Sequence, residues 1–210
     1  MKMVLLVCLL GMSATPALAT EKNQKRNYAK VNLGVYQPTN QLDDDNYDTG
    51  VNLTLSYGRY LTRNLCYEVG LDDIGSANDL SGSNGTAGTY DQDNVIYGNG
   101  LIFTVKGVYP KESVRLYAGG GIGLYAVTLA AEIDSSSLGN FDKVESDFIV
   151  GGHAVAGLDL DITDRFFINF EGKYRITDDA DINKKVASIP VAYKGDLNGY
   201  SVTTGIGYRF

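Results

Sequence analysis

The sequence predicts an all-β fold, an eight-stranded antiparallel up-and-down β-barrel that crosses a membrane. Three observations predict it: eight segments alternate apolar and polar residues with period two, the connections between them are alternately short and long, and one face of the alternation carries no charge. No stretch of ten or more residues beyond residue 19 repeats its apolar residues at helical spacing, so an α/β reading has no support.

In chain order, the first element is a secretory signal peptide over residues 1–19. Lys2 supplies its positive start, Met3 to Gly11 its short apolar run, and Ala17-Leu18-Ala19 a small-residue cleavage site before Thr20. The run is too short for a spanning helix. Cys8 follows Val7, which is not the small residue a lipoprotein site requires, so no lipid anchor is expected. Residues 20–210 then form a single domain. Cys66 is the one cysteine left in it, which excludes an intramolecular disulfide. The formal net charge of the whole chain is −7, and loss of Lys2 makes the remainder more acidic still, which argues against a nucleic-acid partner.

The strands are expected at about 28–36, 50–61, 64–72, 95–109, 114–127, 148–162, 166–176 and 199–210. Their lengths suit a tilted membrane strand, which needs about 9–11 residues. Leu61–Asn64, Pro110–Ser113 and Thr163–Arg165 read as short turns, whereas 37–49, 73–94, 128–147 and 177–198 read as long polar loops. Strict alternation of short and long connections places both termini on the short-turn side of an even-stranded barrel.

A soluble barrel with an apolar interior also alternates, and the charges decide between the two. One face carries Val31, Leu33, Val35, Val51, Leu53, Leu55, Leu101, Phe103, Val105, Ile122, Leu124 and Phe170, with no charged residue. The other carries Asn32, Gly34, Thr54, Ser56, Gly58, Gly119, Gly121, Gly123 and His153, together with Lys30, Glu68, Lys106, Arg115, Asp159, Glu171, Lys173, Arg175 and Arg209. A soluble exterior would be densely charged rather than glycine-rich. A narrow lumen accounts for both features, because glycine relieves crowding and opposite charges pair there. Tyr57, Tyr67, Tyr97, Tyr109, Tyr174 and Tyr208 lie near strand ends, as interfacial girdles require.

The last strand, Tyr200 to Phe210, places Tyr200, Val202, Ile206, Tyr208 and Phe210 on its apolar face. It resembles the terminal strand of bacterial outer-membrane barrels. That resemblance implies recognition of Ile206, Tyr208 and Phe210 by the barrel-assembly machinery. Together with Leu65-Cys66-Tyr67-Glu68-Val69-Gly70, Ala156-Gly157-Leu158-Asp159-Leu160 before the Thr163-Asp164-Arg165 turn, and Phe170-Glu171-Gly172-Lys173-Tyr174-Arg175, the chain resembles the OmpA/OmpX-type outer-membrane β-barrel domain family over 27–210. The resemblance implies a closed barrel in the outer membrane of a Gram-negative bacterium, among outer-membrane lipids and lipopolysaccharide. Its roles in that family range from structural support and surface attachment to occasional enzymes.

Candidate chemistry is sparse. His153 is the only histidine, and lipid A deacylase barrels of similar size place a serine two residues after theirs, where this chain has Val155. The simpler reading is a lumen histidine bonded to polar neighbours. An omptin-like protease requires a larger barrel than eight strands. Gly121-Ile122-Gly123-Leu124-Tyr125-Ala126 fits a dinucleotide fingerprint formally, but Val127-Thr128-Leu129 continues a strand where that motif needs a helix. The acidic run Asp43-Asp44-Asp45-Asn46 and Asp48, with Asp72, Asp73, Asp79, Asp91 and Asp93 assigned to the second loop, could bind divalent cations, but no EF-hand spacing is present. Asn84-Gly85-Thr86 is a glycosylation sequon without weight in a bacterial protein. No catalytic, cofactor or metal residues are assigned. The expectation is a non-enzymatic barrel with a lumen plugged by paired charges, serving envelope integrity or surface contact through its long loops; the alternatives are a small-solute channel and a lipid-modifying enzyme.

Overall fold

A computed structural model describes residues 26–40, 42, 47–84, 88–136, 139–186 and 189–210. The predicted signal peptide with Cys8, and the acidic run Asp43-Asp44-Asp45-Asn46, lie outside the described residues. The strands are β1 (Asn27–Pro38), β2 (Gly50–Thr62), β3 (Leu65–Asn84), β4 (Gly88–Lys111), β5 (Val114–Ser135), β6 (Gly139–Asp161), β7 (Phe166–Thr177), β8 (Ala180–Val186), β9 (Ile189–Gly195) and β10 (Gly199–Arg209).

Eight of these close a barrel in the order β1-β10-β7-β6-β5-β4-β3-β2, and β8 and β9 form a separate hairpin. Every barrel pairing is antiparallel. Followed once round the wall, the register runs Phe166, Tyr208, Ala29, Tyr57, Val69, Phe103, Ile122 and Gly152, and returns to β7 at Ile176, ten residues beyond its start. That stagger tilts the strands into the ~35–45° range of closed barrels.

The alternation read from the sequence sorts onto the two surfaces. The uncharged face points outward, with Ile122 69% and Leu33 60% exposed, while Lys30, Glu68, Lys106 and Arg175 point inward and are buried. Lumen crowding explains the inward glycines: a Cβ on Gly121 would collide with the Phe103 carbonyl and lie 2.8 Å from the imidazole Nε2 of His153. Around the closing seam, Phe210 exchanges backbone hydrogen bonds with Asn27, and the outward rings of Tyr57, Phe166, Tyr208 and Phe210 touch in sequence. These form one aromatic rim; Tyr97, Tyr174 and Tyr200 stand exposed toward the other end.

The long polar loops expected at 73–94 and 128–147 are instead continuations of β3–β6, well past the level where β2 and β7 stop. Ile74, Ile96, Val127, Leu129, Ala131, Ile133 and Ile149 alternate on the inner face of this projecting sheet, while Asp79, Asp91, Asp93 and Glu132 stand exposed on the outer face. Acidic outer residues and the Asn, Ser and Gly content of 76–84 hid the period-two pattern. Asn94 donates to Asn78 at 3.0 Å and Gln92 to Asn94 at 2.6 Å, so the polar inner positions are themselves bonded. The predicted loop 177–198 likewise contains the β8–β9 hairpin. Leu42, Tyr47, Ala180, Ile182, Tyr193 and Leu197 cover the projecting sheet and make one hydrophobic core with it. This part lies outside the lipid, where burying an Ile or Leu side chain is worth about 1.5–3 kcal/mol.

Candidate functional site

The charged lumen is the candidate site, and its side chains arrange in three tiers. At the periplasmic end, Arg209 at the end of β10 reaches Asp161 at 2.6 Å and Asp159 at 3.3 Å, both on β6. Arg115, half-buried at this rim, pairs with Asp161 at 3.2 Å. Asn169 of β7 donates to Asp159 at 2.7 Å, and the Arg209 guanidinium lies over the Phe167 ring at 4.1 Å.

The middle tier is a ring of two lysines and two glutamates from four strands. Lys30 (β1) lies 2.8 Å from Glu171 (β7) and 3.3 Å from Glu68 (β3), and Lys106 (β4) lies 2.7 Å from Glu68 and 2.8 Å from Glu171. Phenols complete the carboxylates: Tyr28 donates to Glu68 at 2.5 Å and Tyr117 to Glu171 at 2.9 Å. Lys106 also sits over the face of Tyr117 at 4.3 Å, within cation–π range. With like numbers of each sign and every carboxylate hydrogen-bonded, the ring meets the condition under which ion pairs persist away from water.

Toward the outside, Asp72 is fully buried and binds Lys173 at 2.7 Å and the Arg175 guanidinium. Asn52 at 3.0 Å and the Thr54 hydroxyl at 2.8 Å also donate to it. Arg175 is fully buried between the rings of Tyr36 and Tyr125, at 5.5 and 5.3 Å. Tyr36 in turn donates to the carbonyls of Leu197 and Asn198, at 3.0 and 3.1 Å, tying this tier to the extracellular core. His153 lies inside, as its parity predicted, with Nε2 2.8 Å from the Thr104 hydroxyl. Val155 is buried on the same face, so the position two residues beyond the histidine holds no nucleophile.

Each predicted lumen charge thus finds a partner, but two of the partners, Asp72 and Asp161, were not among the predicted charges. Arg115 pairs with Asp161, and Lys173 and Arg175 pair with Asp72, which sequence reasoning had placed in the second loop. Asp72 lies on β3, two and four residues after Gly70 and Glu68, so its parity on that face was the available signal. Tyr28, Tyr36, Tyr117 and Tyr125 were also missed; each lies at an even spacing from the inward Lys30, Gly34, Gly119 or Gly123. Of the expected assembly signal, Ile206 and Phe210 face outward and are exposed, and Tyr208 is half-buried in the aromatic rim.

A family model described as the outer membrane protein beta-barrel domain matches residues 5–210. The chain belongs to this family and is an integral protein of the outer membrane. Neisserial surface protein A is a similar solved structure, with TM-score 0.54 and 16% identity over 88% of this chain and 97% of its own. OprG from Pseudomonas aeruginosa gives TM-score 0.50 and 15% identity over 90% and 97%. The outer membrane protease OmpT from Escherichia coli is more distant, with TM-score 0.44 and 12% identity over 89% and 94%. No curated protein sequence matches this chain. These likenesses concern the fold.

Proposed function

We propose that this protein is a non-enzymatic barrel whose lumen is plugged by its own side chains, and that it serves envelope integrity or surface contact through the projecting extracellular sheet. One observation carries the reading: Lys30, Lys106, Glu68 and Glu171, from strands on different sides of the barrel, meet at hydrogen-bond distance in its interior. A solute would have to break buried ion pairs to pass. Above them, Arg175 and the apolar core around Leu197 and Leu42 close the outer end. The imidazole Nδ1 of His153, the nitrogen that an orienting carboxylate holds in a catalytic triad, has no hydrogen-bond partner among the described residues, and the Thr104 hydroxyl on its Nε2 is buried in the lumen, away from lipid.

In this reading the chain is exported by the signal peptide at 1–19. It is inserted by the barrel-assembly machinery, which recognises Ile206, Tyr208 and Phe210, and its outer sheet stands among lipopolysaccharide. Liposome swelling with small sugars tests the plug. Proteoliposomes should swell no faster than protein-free liposomes, and swelling that scales with protein content would support the small-solute channel instead.

A further inference from the structure

Glycines on the two faces of the wall differ in what surrounds them. At inward Gly121 a Cβ would collide with neighbours, so the lumen requires glycine there. At outward Gly152 and Gly172 the nearest atom to such a Cβ is a backbone oxygen at 3.7 and 3.8 Å, an ordinary contact, and the same holds at Gly107. Nothing among the described residues demands glycine at these positions, and glycine weakens a strand. They are not scattered. Gly107 lies opposite Ala118, Ala118 opposite Ala156, Ala156 opposite Gly172, and Gly120 opposite Ala154.

A lane of minimal side chains therefore runs over the outer wall of β4–β7. Toward the extracellular side it widens into a trough of about 880 Å³, with Gly152 and Ala154 in its floor. Leu101, Phe103 and Ile122 line it on one side and Tyr174 and Ile176 on the other, and it ends at Asp178 near the rim.

We propose that this trough binds an acyl chain of a lipopolysaccharide-type lipid of the outer leaflet. The trough is part of the lipid-facing band, so its occupant comes from within the membrane. Its shape is concave, which a linear chain fills and the convex wall of a second barrel does not. Its lining by Ile176, Thr177 and Asp178, at the end of β7 and beside the base of the β8–β9 hairpin, sets it in the extracellular half of the wall, which selects the outer leaflet. Lipid tails gain no hydrophobic transfer energy on leaving other tails, so retention comes from close van der Waals contact with bare backbone. That is the contact glycine and alanine permit.

Native mass spectrometry of the purified full-length barrel in mild detergent tests the site, with lipid A and, separately, phosphatidylethanolamine added. Gly152→Leu combined with Ala154→Leu fills the trough from the outside; Ala154→Leu alone fills it in part; Val202→Leu, on the lipid-facing side of β10, is the control. Heat-modifiable migration verifies that each variant is folded. Wild type and V202L should retain lipid A alike, with retention falling about tenfold in the double variant and about threefold in A154L. If the double variant does not fold, A154L decides. The proposal is overturned if wild type retains no lipid A, if the filled variants retain it undiminished, if phosphatidylethanolamine is held in preference, or if wild type appears as a dimer that the filled variants lose.

Discussion

Lys106 and Glu171 stand on β4 and β7, apart in the barrel order, yet their Nζ and Oε2 atoms meet at 2.8 Å in the lumen. The same oxygen accepts from Lys30 and Tyr117, so one carboxylate holds three side chains from three other strands. Glu171→Ala would leave both ammonium groups short of a counter-charge in a buried setting. Removing one partner of a buried pair costs roughly 3–5 kcal/mol. The unfolding midpoint read from heat-modifiable migration should fall clearly; an unchanged midpoint would mean that water replaces the lost carboxylate without penalty.

The extracellular hairpin gives a pH-dependent prediction. Asp147 on β6 accepts from the backbone N–H of Asp181 on β8 at 3.0 Å and from that of Phe148 at 2.8 Å. These bonds, with the Asp181 N–H the larger cause, hold its carboxyl below the usual carboxylate range. A lowered value in the docked state means the clip contributes fully above the ordinary aspartate pKa of about 3.9 and is lost as pH falls through the lowered value. Amide protection of Asp181, corrected for intrinsic exchange, should be flat near neutrality and decline in acid. Asp147→Asn should abolish that dependence; an identical profile in the variant would remove Asp147 from the account.

The periplasmic turn between β4 and β5 carries a local strain. Lys111 pairs with Val114 across Glu112-Ser113, and Glu112 has φ of 50°. A positive φ at the first of two hairpin residues is where glycine is preferred, and the left-handed conformation costs an L-residue roughly 1–2 kcal/mol. Glu112→Gly should raise the unfolding midpoint modestly, and a lowered midpoint would show that the glutamate side chain contributes more than its backbone costs.

His153→Ala removes one hydrogen bond to Thr104, worth about 0.5–1.5 kcal/mol. Yield and outer-membrane insertion should be nearly those of wild type. A lipid-modifying or hydrolytic activity present in the wild type and abolished by this change alone would favour an enzyme.

Much of the barrel was legible because a wall between lipid and a crowded lumen imposes a strict two-residue period: Val31, Leu33 and Val35 face out and Lys30 and Asn32 face in as that period requires. Legibility failed where the environment changed. Above the membrane the outer face of β3–β6 meets water, so Asp79 and Asp93 replace apolar residues and the strand reads as a loop. The inner face there is an ordinary hydrophobic core, so Leu129 and Ile133 occupy the parity that Tyr125 holds below. Asp72 sits at that transition and was lost with the loop. The partners of Arg175 and Lys173 were illegible for a different reason: register and stagger decide which side chains share a level of the lumen, and neither is written in a single strand.

Planar-bilayer conductance of the purified wild-type barrel separates a plugged lumen from a water-filled one. With the Lys30, Lys106, Glu68 and Glu171 ring intact and Arg175 held between Tyr36 and Tyr125, no steady current beyond that of the bare bilayer is expected at either polarity. A steady, reproducible unit conductance from the folded protein would contradict the plug and establish the lumen as a water-filled path.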